Sequence, residues 1–193
     1  MATLRIYSDG ACSGNQNSEN TGGWGAILEF GSARKEIWGG ERNTTNNRME
    51  LTAVIEAFRR LTRDDLDVEV YTDSSYVANC FRAQWYVNWR RNGWRTKNRK
   101  EVENQDLWQE LLPLVEKHRT RFFLVKGHIS PKTGDARIDS LYKAFVAKNG
   151  SCSREDFLYI TEQNNRADAL ANLGIEEIRQ AEATEKTEET SGR

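Results

Sequence analysis

Four acidic residues stand where a carboxylate can take part in catalysis. Asp9 and Asp73 each follow a short apolar run that is typical of a strand, and Glu50 and Asp168 lie in segments with helical spacing. Ligand sites in α/β proteins form where strands end, so these carboxylates can converge on one patch. Clustered carboxylates repel one another and resist ionisation, so they need a cation. Because oxygen ligands suit hard cations, the set predicts a magnesium or manganese site.

The elements that position these residues alternate between strand and helix patterns. Alternating apolar residues predict five strands, and apolar residues three and four apart predict four helices. The predicted strands span residues 4–9, 24–30, 33–40, 66–73 and 122–125, and the predicted helices span 45–62, 74–82, 103–118 and 164–178. Helices that connect strands indicate an α/β fold with a mixed sheet.

The net charge of the whole chain does not indicate a polyanionic partner, but the charge of one segment does. The chain has 193 residues, which suits one domain, and its 28 basic and 29 acidic residues leave a net charge of −1. The segment 81–100 contains seven Lys or Arg, no Asp or Glu, and three tryptophans. A nucleic-acid surface is therefore expected as a local basic patch.

Cysteine usage and hydropathy predict the compartment. The three cysteines are odd in number and form no CxxC motif, which excludes a disulfide framework and a cysteine-based zinc site and suits a reducing compartment. No stretch approaches 18 apolar residues, so no membrane span is predicted. We expect a cytoplasmic monomer.

Five motifs follow one another along the chain, and four of them each contain one of these carboxylates. They are Ser8–Cys12, Thr44–Leu51, Tyr71–Ser74, Val125–His128 and Asn164–Ala171. Together they closely resemble the motifs of type 1 ribonucleases H that carry a basic protrusion. The resemblance implies the ribonuclease H-like fold, with a five-stranded mixed sheet flanked by helices.

The same resemblance implies an activity: internal hydrolysis of the RNA strand of an RNA–DNA hybrid, giving 5′-phosphate and 3′-hydroxyl ends. Two Mg²⁺ ions per site are implied, with Mn²⁺ as a possible substitute. By analogy, Asp9 bridges both ions, and Asp168 completes the site that activates water. Glu50 and Asp73 hold the ion facing the leaving 3′-oxygen, and His128 relays protons or helps product leave.

Substrate contacts are also implied by the resemblance. Asn15, Asn46 and Asn47 match positions that touch the minor groove, where RNA shows 2′-hydroxyls and DNA does not. Trp85 and Trp89 lie in the basic segment, which would grip the DNA backbone with cations and an aromatic face. One of these tryptophans can instead pack on the core, and the sequence does not assign which.

A pocket for a phosphate of the DNA strand is implied at Thr45 and Asn104. Asn43 stands where some relatives place an arginine near this pocket. Arg42 is the candidate to substitute for that arginine.

The chain departs from the family between His128 and Asp168, which are separated by 39 residues instead of a much shorter spacing. We expect a catalytic domain over 1–174 that contains an insertion at 129–163, followed by an acidic, frayed tail at 175–193. Inside the insertion, 138–147 has a helical pattern and 157–160 is predicted as a short strand.

The insertion creates a rival for the fourth carboxylate. Asp139 follows the histidine at nearly the usual family distance. We favour Asp168, because Asn164 also matches the family and the small residues Ala167 and Ala171 let a helix approach the sheet closely.

Two other classes of protein are compatible with such a fold. A non-catalytic hybrid-binding protein of this fold would be expected to lack a carboxylate, and all four are present. A different nuclease of the same fold needs neither the asparagines nor the basic segment. The sequence therefore favours ribonuclease H activity.

Overall fold

The computed structural model of the chain describes residues 3–14, 20–126, 129–130 and 132–191, with side chains as far as residue 184. No helix within these ranges combines the length and apolar composition that crossing a membrane requires. The strands are β1 (Leu4–Ser13), β2 (Thr21–Phe30), β3 (Ala33–Arg42), β4 (Asp67–Thr72) and β5 (Arg119–Leu124). The helices are α1 (Asn46–Arg59), α2 (Ser75–Arg82), α3 (Trp85–Arg91), α4 (Gln105–Val115), α5 (Asp135–Asn149) and α6 (Arg154–Ser191).

The five strands form one mixed sheet in the order β3-β2-β1-β4-β5. The first three strands pair antiparallel, while β4 pairs in parallel with both β1 and β5. Parallel neighbours need a crossover connection, and helices α2 to α4 supply it between β4 and β5. The predicted α/β fold with a five-stranded mixed sheet flanked by helices is confirmed.

Both faces of the sheet are covered, because side chains along each strand alternate between the faces. On one face, Leu4 and Ile6 of β1 pack in a core with residues of α1 and α4. On the other face, Tyr7 packs with Phe145 of α5 and Phe157 of α6. Strand β1 is therefore buried on both sides, and its carboxyl end lies where helices from both faces can reach it.

One predicted element is wrong. The segment 157–160, predicted as a strand, lies inside α6, which begins at Arg154 and not near residue 164. Phe157 and Ile160 are three residues apart and both buried, as on one face of a helix. A short apolar run has the same composition in a strand and in a buried helix, which explains the error.

The end of the chain also differs from the prediction. The segment from 176 to Ser191, predicted as a frayed end, continues α6 in the described residues. Glu177 accepts a hydrogen bond from the Trp38 indole of β3 at 2.9 Å. Glu182 forms an ion pair with Arg42 at the end of β3, at 3.1 Å. These contacts tie the segment 177–182 of α6 to the edge of the sheet.

Candidate active site

Two aspartates extend from the same end of the sheet. Asp9 lies within β1, is 5% exposed, and accepts a hydrogen bond from the backbone N–H of Gly10 at 2.8 Å. Asp73 directly follows Thr72, the last residue of β4. Because β1 and β4 are parallel, with Ser8 opposite Thr72, the two strands bring both carboxylates to the same end of the sheet.

Helix α1 adds a third carboxylate through close packing on β1. Glu50 is 4% exposed, and a Cβ at Gly10 would overlap the backbone of Met49 and Glu50. The glycine beside the aspartate therefore allows this approach. One ligand oxygen from each of Asp9, Glu50 and Asp73 lies within 4.8 Å of the others.

Helix α6 brings a fourth carboxylate to the border of this group. Gly25 of β2 is directly opposite Asp9 in the ladder, and a Cβ on Gly25 would overlap the carbonyl oxygen of Ala167. Asp168 is the next residue, half-buried, and its Oδ1 accepts a hydrogen bond from Asn172 at 3.1 Å. Small residues on both sides of this contact place Asp168 next to Asp9.

The rival aspartate lies elsewhere. Asp139 is on α5, is exposed, and its Oδ1 accepts a hydrogen bond from Nε of Arg154 at 3.0 Å. Helix α5 meets the sheet through the large side chain of Phe145, which keeps its backbone at a distance. Asp168, and not Asp139, is therefore the aspartate beside the other three carboxylates.

Burial and mutual repulsion keep protons on the cluster. The pKa of Asp9 is raised to about 8, first by burial and then by the charges of Asp73 and Asp168. The pKa of Glu50 is raised well above its ordinary value, first by burial and then by the charges of Asp9 and Asp73. A nearby cation favours the ionised forms, so these groups are poised to exchange protons for a metal ion.

The donor set fits a hard divalent cation. All donors are carboxylate oxygens, and Oε2 of Glu50 is buried without a hydrogen-bond partner among the described residues. A buried polar atom without a partner is costly, and a bound cation would supply one. These residues therefore fit Mg²⁺ and Mn²⁺ alike.

The residues predicted to read the minor groove are only partly described. Asn46 and Asn47 form the first turn of α1, one turn before Glu50, with Asn46 exposed and Asn47 half-buried. Asn15 and His128 lie outside the described residues. Helix α1 thus carries candidate substrate contacts and a metal ligand on one rigid element.

A residue that sequence reasoning missed joins the two halves of the predicted phosphate pocket. The backbone N–H of Arg48 donates to Oγ1 of Thr45 at 3.3 Å, and its guanidinium donates to Oδ1 of Asn104 at 3.5 Å. Asp106 holds this guanidinium through two bonds of 3.1 and 2.8 Å. Arg48 lies inside a recognised motif, but its partners at the start of α4 are far along the chain, so no local pattern indicates the contact.

Arg42 was the predicted substitute in that pocket. It forms an ion pair with Glu182 of α6 instead, so part of its charge is already neutralised. The structure places the guanidinium of Arg48 beside Asn104.

The two candidate tryptophans of α3 have different surroundings. Trp85 is 38% exposed. Trp89 is half-buried, with its ring centroid 6.3 Å from that of Trp94 and 5.6 Å from that of the fully buried Trp108. Trp89 therefore anchors α3 on the core, while Trp85 keeps a face open to solvent.

The predicted insertion completes the edge of the sheet beside the site. The side-chain amide of Asn149, at the end of α5, pairs with both the N–H and the C=O of Leu124, each at 3.0 Å. Leu124 ends β5 opposite Thr72, and the N–H of Val125 donates to the carbonyl of Thr72 at 2.9 Å. Helix α5 thus holds the strand end that neighbours Asp73.

Comparison with known proteins gives the context of this site. The model of the RNase H family matches residues 1–147. Ribonuclease H of Moorella thermoacetica is 48% identical over 147 residues, which are 76% of this chain and 93% of that protein. Ribonuclease H of Cupriavidus necator is 44% identical over 178 residues, which are 92% of this chain and 99% of that protein.

A solved structure shares the fold. The crystal structure of LC11-RNase H1 in complex with RNA/DNA hybrid matches with a TM-score of 0.55 and 19% identity, covering 91% of this chain and 99% of that chain. At this identity, the likeness supports the fold alone.

The family model and the Cupriavidus necator relative differ in whether their matches include both candidate aspartates, Asp139 and Asp168. The family model ends inside α5, so it includes Asp139 and stops before Asp168. A match over 178 of 193 residues must contain residues 16–178, so the Cupriavidus necator relative spans both aspartates. The packing of α6 on Gly25 is what distinguishes them.

Proposed function

The chain belongs to the ribonuclease H family, and we propose that it is an endonuclease that hydrolyses the RNA strand of RNA–DNA hybrids. The observation that carries the proposal is the convergence of Asp9, Glu50 and Asp73 within 4.8 Å, with Asp168 beside Asp9. Metal-dependent phosphodiester hydrolysis uses such carboxylate clusters. The curated relatives are named Ribonuclease H, and LC11-RNase H1, which has this fold, was solved with an RNA/DNA hybrid.

Four carboxylates would hold two divalent ions. Asp9, at the centre of the cluster, would contact both, Asp168 would complete the site on its open side, and Glu50 and Asp73 would complete the other. When bound, the ions lower the pKa of the attacking water and stabilise charge on the leaving 3′-oxygen. Cleavage of the bond between the phosphorus and the 3′-oxygen leaves a 5′-phosphate and a 3′-hydroxyl.

The protein's own contribution is to hold the carboxylates in place before substrate arrives. The N–H of Gly10 fixes Asp9, and the packing of α1 on that glycine fixes Glu50. His128 follows the described end of β5 by a few residues. We propose that it relays protons or helps product leave.

Selection of RNA would come from hydrogen bonds to 2′-hydroxyls. Asn46 and Asn47 stand on the exposed first turn of α1, and Asn15 would join them. DNA in the same place would leave these amides without partners, and unpaired polar groups cost binding energy.

The DNA strand would be held by two features outside the carboxylate cluster. Thr45, Arg48 and Asn104 would bind one phosphate, with the guanidinium exchanging a bond to Asp106 for a charge-assisted hydrogen bond to the phosphate. Trp85, rather than Trp89, would stack on a deoxyribose, because its ring is the exposed one.

We also make proposals for the domain bounds, the cellular location and the oligomeric state. We propose a catalytic domain over 1–174 with an insertion at 129–163 and a C-terminal segment at 175–193, although α6 runs through two of these bounds without a break. The three cysteines are free, which suits the cytoplasm that we propose. We also propose a monomer.

The test is cleavage of an end-labelled RNA–DNA hybrid, with single-stranded RNA, double-stranded RNA and DNA duplex as controls. Each is incubated with Mg²⁺, with Mn²⁺ and with EDTA, and with the Asp73→Asn variant as the matched protein. We expect metal-dependent internal cuts in the RNA of the hybrid alone. Hybrid binding without cleavage in either metal would contradict the proposal and favour a scaffold protein.

A further inference from the structure

The segment of α6 around Arg179 reaches the candidate substrate surface. Nη2 of Arg179 donates a hydrogen bond to Oγ of Ser13 at 2.6 Å. Ser13 ends β1, four residues beyond Asp9, which is roughly 13 Å along an extended strand. The next residues lead into the segment that contains Asn15, a candidate minor-groove contact. Arg179 therefore lies at the rim of the proposed substrate groove.

The charge of Arg179 is not neutralised by its described neighbours. Its guanidinium is exposed, contacts a neutral hydroxyl, and forms no ion pair among the residues that the structure describes. The nearest acidic residues of α6, Glu176, Glu177 and Glu182, each contact a different residue. A cation held in place without a counter-charge is suited to binding an anion.

Arg42 provides a contrast at the same end of the sheet. Its ion pair with Glu182 must break before an anion can bind in place of the Glu182 carboxylate. Among the described residues, the guanidinium of Arg179 contacts the neutral hydroxyl of Ser13 and no carboxylate. Binding an anion therefore costs less free energy at Arg179 than at Arg42.

We infer that Arg179 is a further substrate-binding residue, which binds a backbone phosphate of the hybrid beside Ser13. The inference rests on the proposed function and adds a contact from α6. A guanidinium can donate two parallel hydrogen bonds to a phosphate. The bond to Ser13 limits the side-chain freedom that binding would remove. Glu176 and Glu182, one turn away on the helix, repel the same phosphate and keep the gain moderate.

The experiment measures binding of a labelled hybrid by fluorescence anisotropy over a range of salt concentrations, in an Asp73→Asn background that does not cleave. Removing one phosphate contact lowers the salt slope of log K by about 1. We expect Arg179→Gln to show this lower slope and roughly 3- to 10-fold weaker binding at low salt. Arg179→Lys should retain most of the binding. Arg63→Gln, an exposed arginine at the opposite end of the sheet, should match the parent.

Three results are decisive. Unchanged affinity and slope in Arg179→Gln would overturn the inference. Weaker binding with an unchanged slope would also overturn it, because Arg179 would then act only by holding α6 to β1. If the wild-type protein neither binds nor cleaves the hybrid, the proposed function fails and the inference fails with it, whereas normal wild-type cleavage confines the failure to Arg179.

Discussion

Helices α5 and α6 are neighbours in the chain, and each carries an aspartate that follows the histidine motif. Asp139 of α5 stands at nearly the family distance, yet it is exposed and paired with Arg154. Asp168 of α6 lies much farther along the chain, yet it borders Asp9 because the helix backbone touches Gly25. The difference teaches that closeness of backbone packing, and not spacing along the chain, decides which carboxylate joins the site.

The two helices also stabilise the sheet in different ways. Helix α5 inserts Phe145 into the core and pairs Asn149 with the edge strand at Leu124. Helix α6 packs small residues such as Ala167 directly on the strands. The first arrangement supports a strand end, and the second positions a ligand. Substitutions that separate these roles test the comparison.

Among substitutions that leave all four carboxylates in place, the largest effect is expected from Gly25→Ala. The added Cβ would overlap the carbonyl oxygen of Ala167 and the side chain of Leu170, so α6 must move away and take Asp168 with it. A displacement of about 1 Å at a catalytic group can cost roughly 100-fold in rate, and we expect a 10- to 100-fold lower kcat.

The matched control is Gly134→Ala, at the start of α5. A Cβ there meets nothing within 4 Å, and the backbone φ of −70° suits any residue. This variant should cleave the hybrid at the wild-type rate. Wild-type kcat in Gly25→Ala would show that the approach of α6 does not position the site.

A smaller effect is expected on the stability of the metal-free protein. The pKa of Asp9 is raised to about 8 in the folded state, against about 3.9 in an unfolded chain. The folded state therefore binds more protons between about pH 4 and pH 8, so stability falls as pH rises through this window. Asp9→Asn removes this loss.

The measurement is thermal unfolding in EDTA at several pH values. Asp9→Asn should have a Tm a few degrees above wild type near pH 8 and close to wild type near pH 4, while it loses cleavage. Asp139→Asn is the matched control, because it makes the same change at an exposed residue outside the carboxylate cluster. A Tm difference between Asp9→Asn and wild type that does not change with pH would contradict the buried, repelling cluster.

The smallest effect on catalysis is expected from Asn149→Ala. The change removes both partners of the Leu124 backbone, and an unsatisfied buried group costs about 1–3 kcal/mol of unfolding free energy. Because Asn149 supports a strand and carries no ligand, kcat should change only a few-fold. Chemical denaturation and hybrid cleavage measure the two quantities, and a large loss of kcat at unchanged stability would assign α5 a direct role.

Much of this architecture was predictable, because alternation in β1 and helical spacing in α1 are local patterns. The start of α6 was not, since Phe157 and Ile160 form too short an apolar run to reveal a period. The register between the strands could not be predicted from the sequence either. That register puts Gly25 opposite Asp9 and so determines where Asp168 lies.

The candidate site was predictable where a motif carries the residue, as for Glu50. It was not predictable where function depends on a distant partner. The guanidinium of Arg48 reaches Asn104 only because α1 and α4 pack together. Composition alone predicts a solvated segment after residue 176, yet Glu177 contacts Trp38 of β3 and Arg179 contacts Ser13, and these contacts hold this part of α6 on the sheet.

The most direct test of the account is hybrid cleavage by two matched variants, Asp168→Asn and Asp139→Asn. Both substitutions keep the shape of the side chain and remove its charge. We expect Asp168→Asn to fold, bind the hybrid and lose turnover by on the order of 100-fold or more, because it removes a charged group at the reacting centre. Asp139→Asn should cleave like the wild type. The reverse pattern would move the fourth carboxylate to α5 and contradict the account.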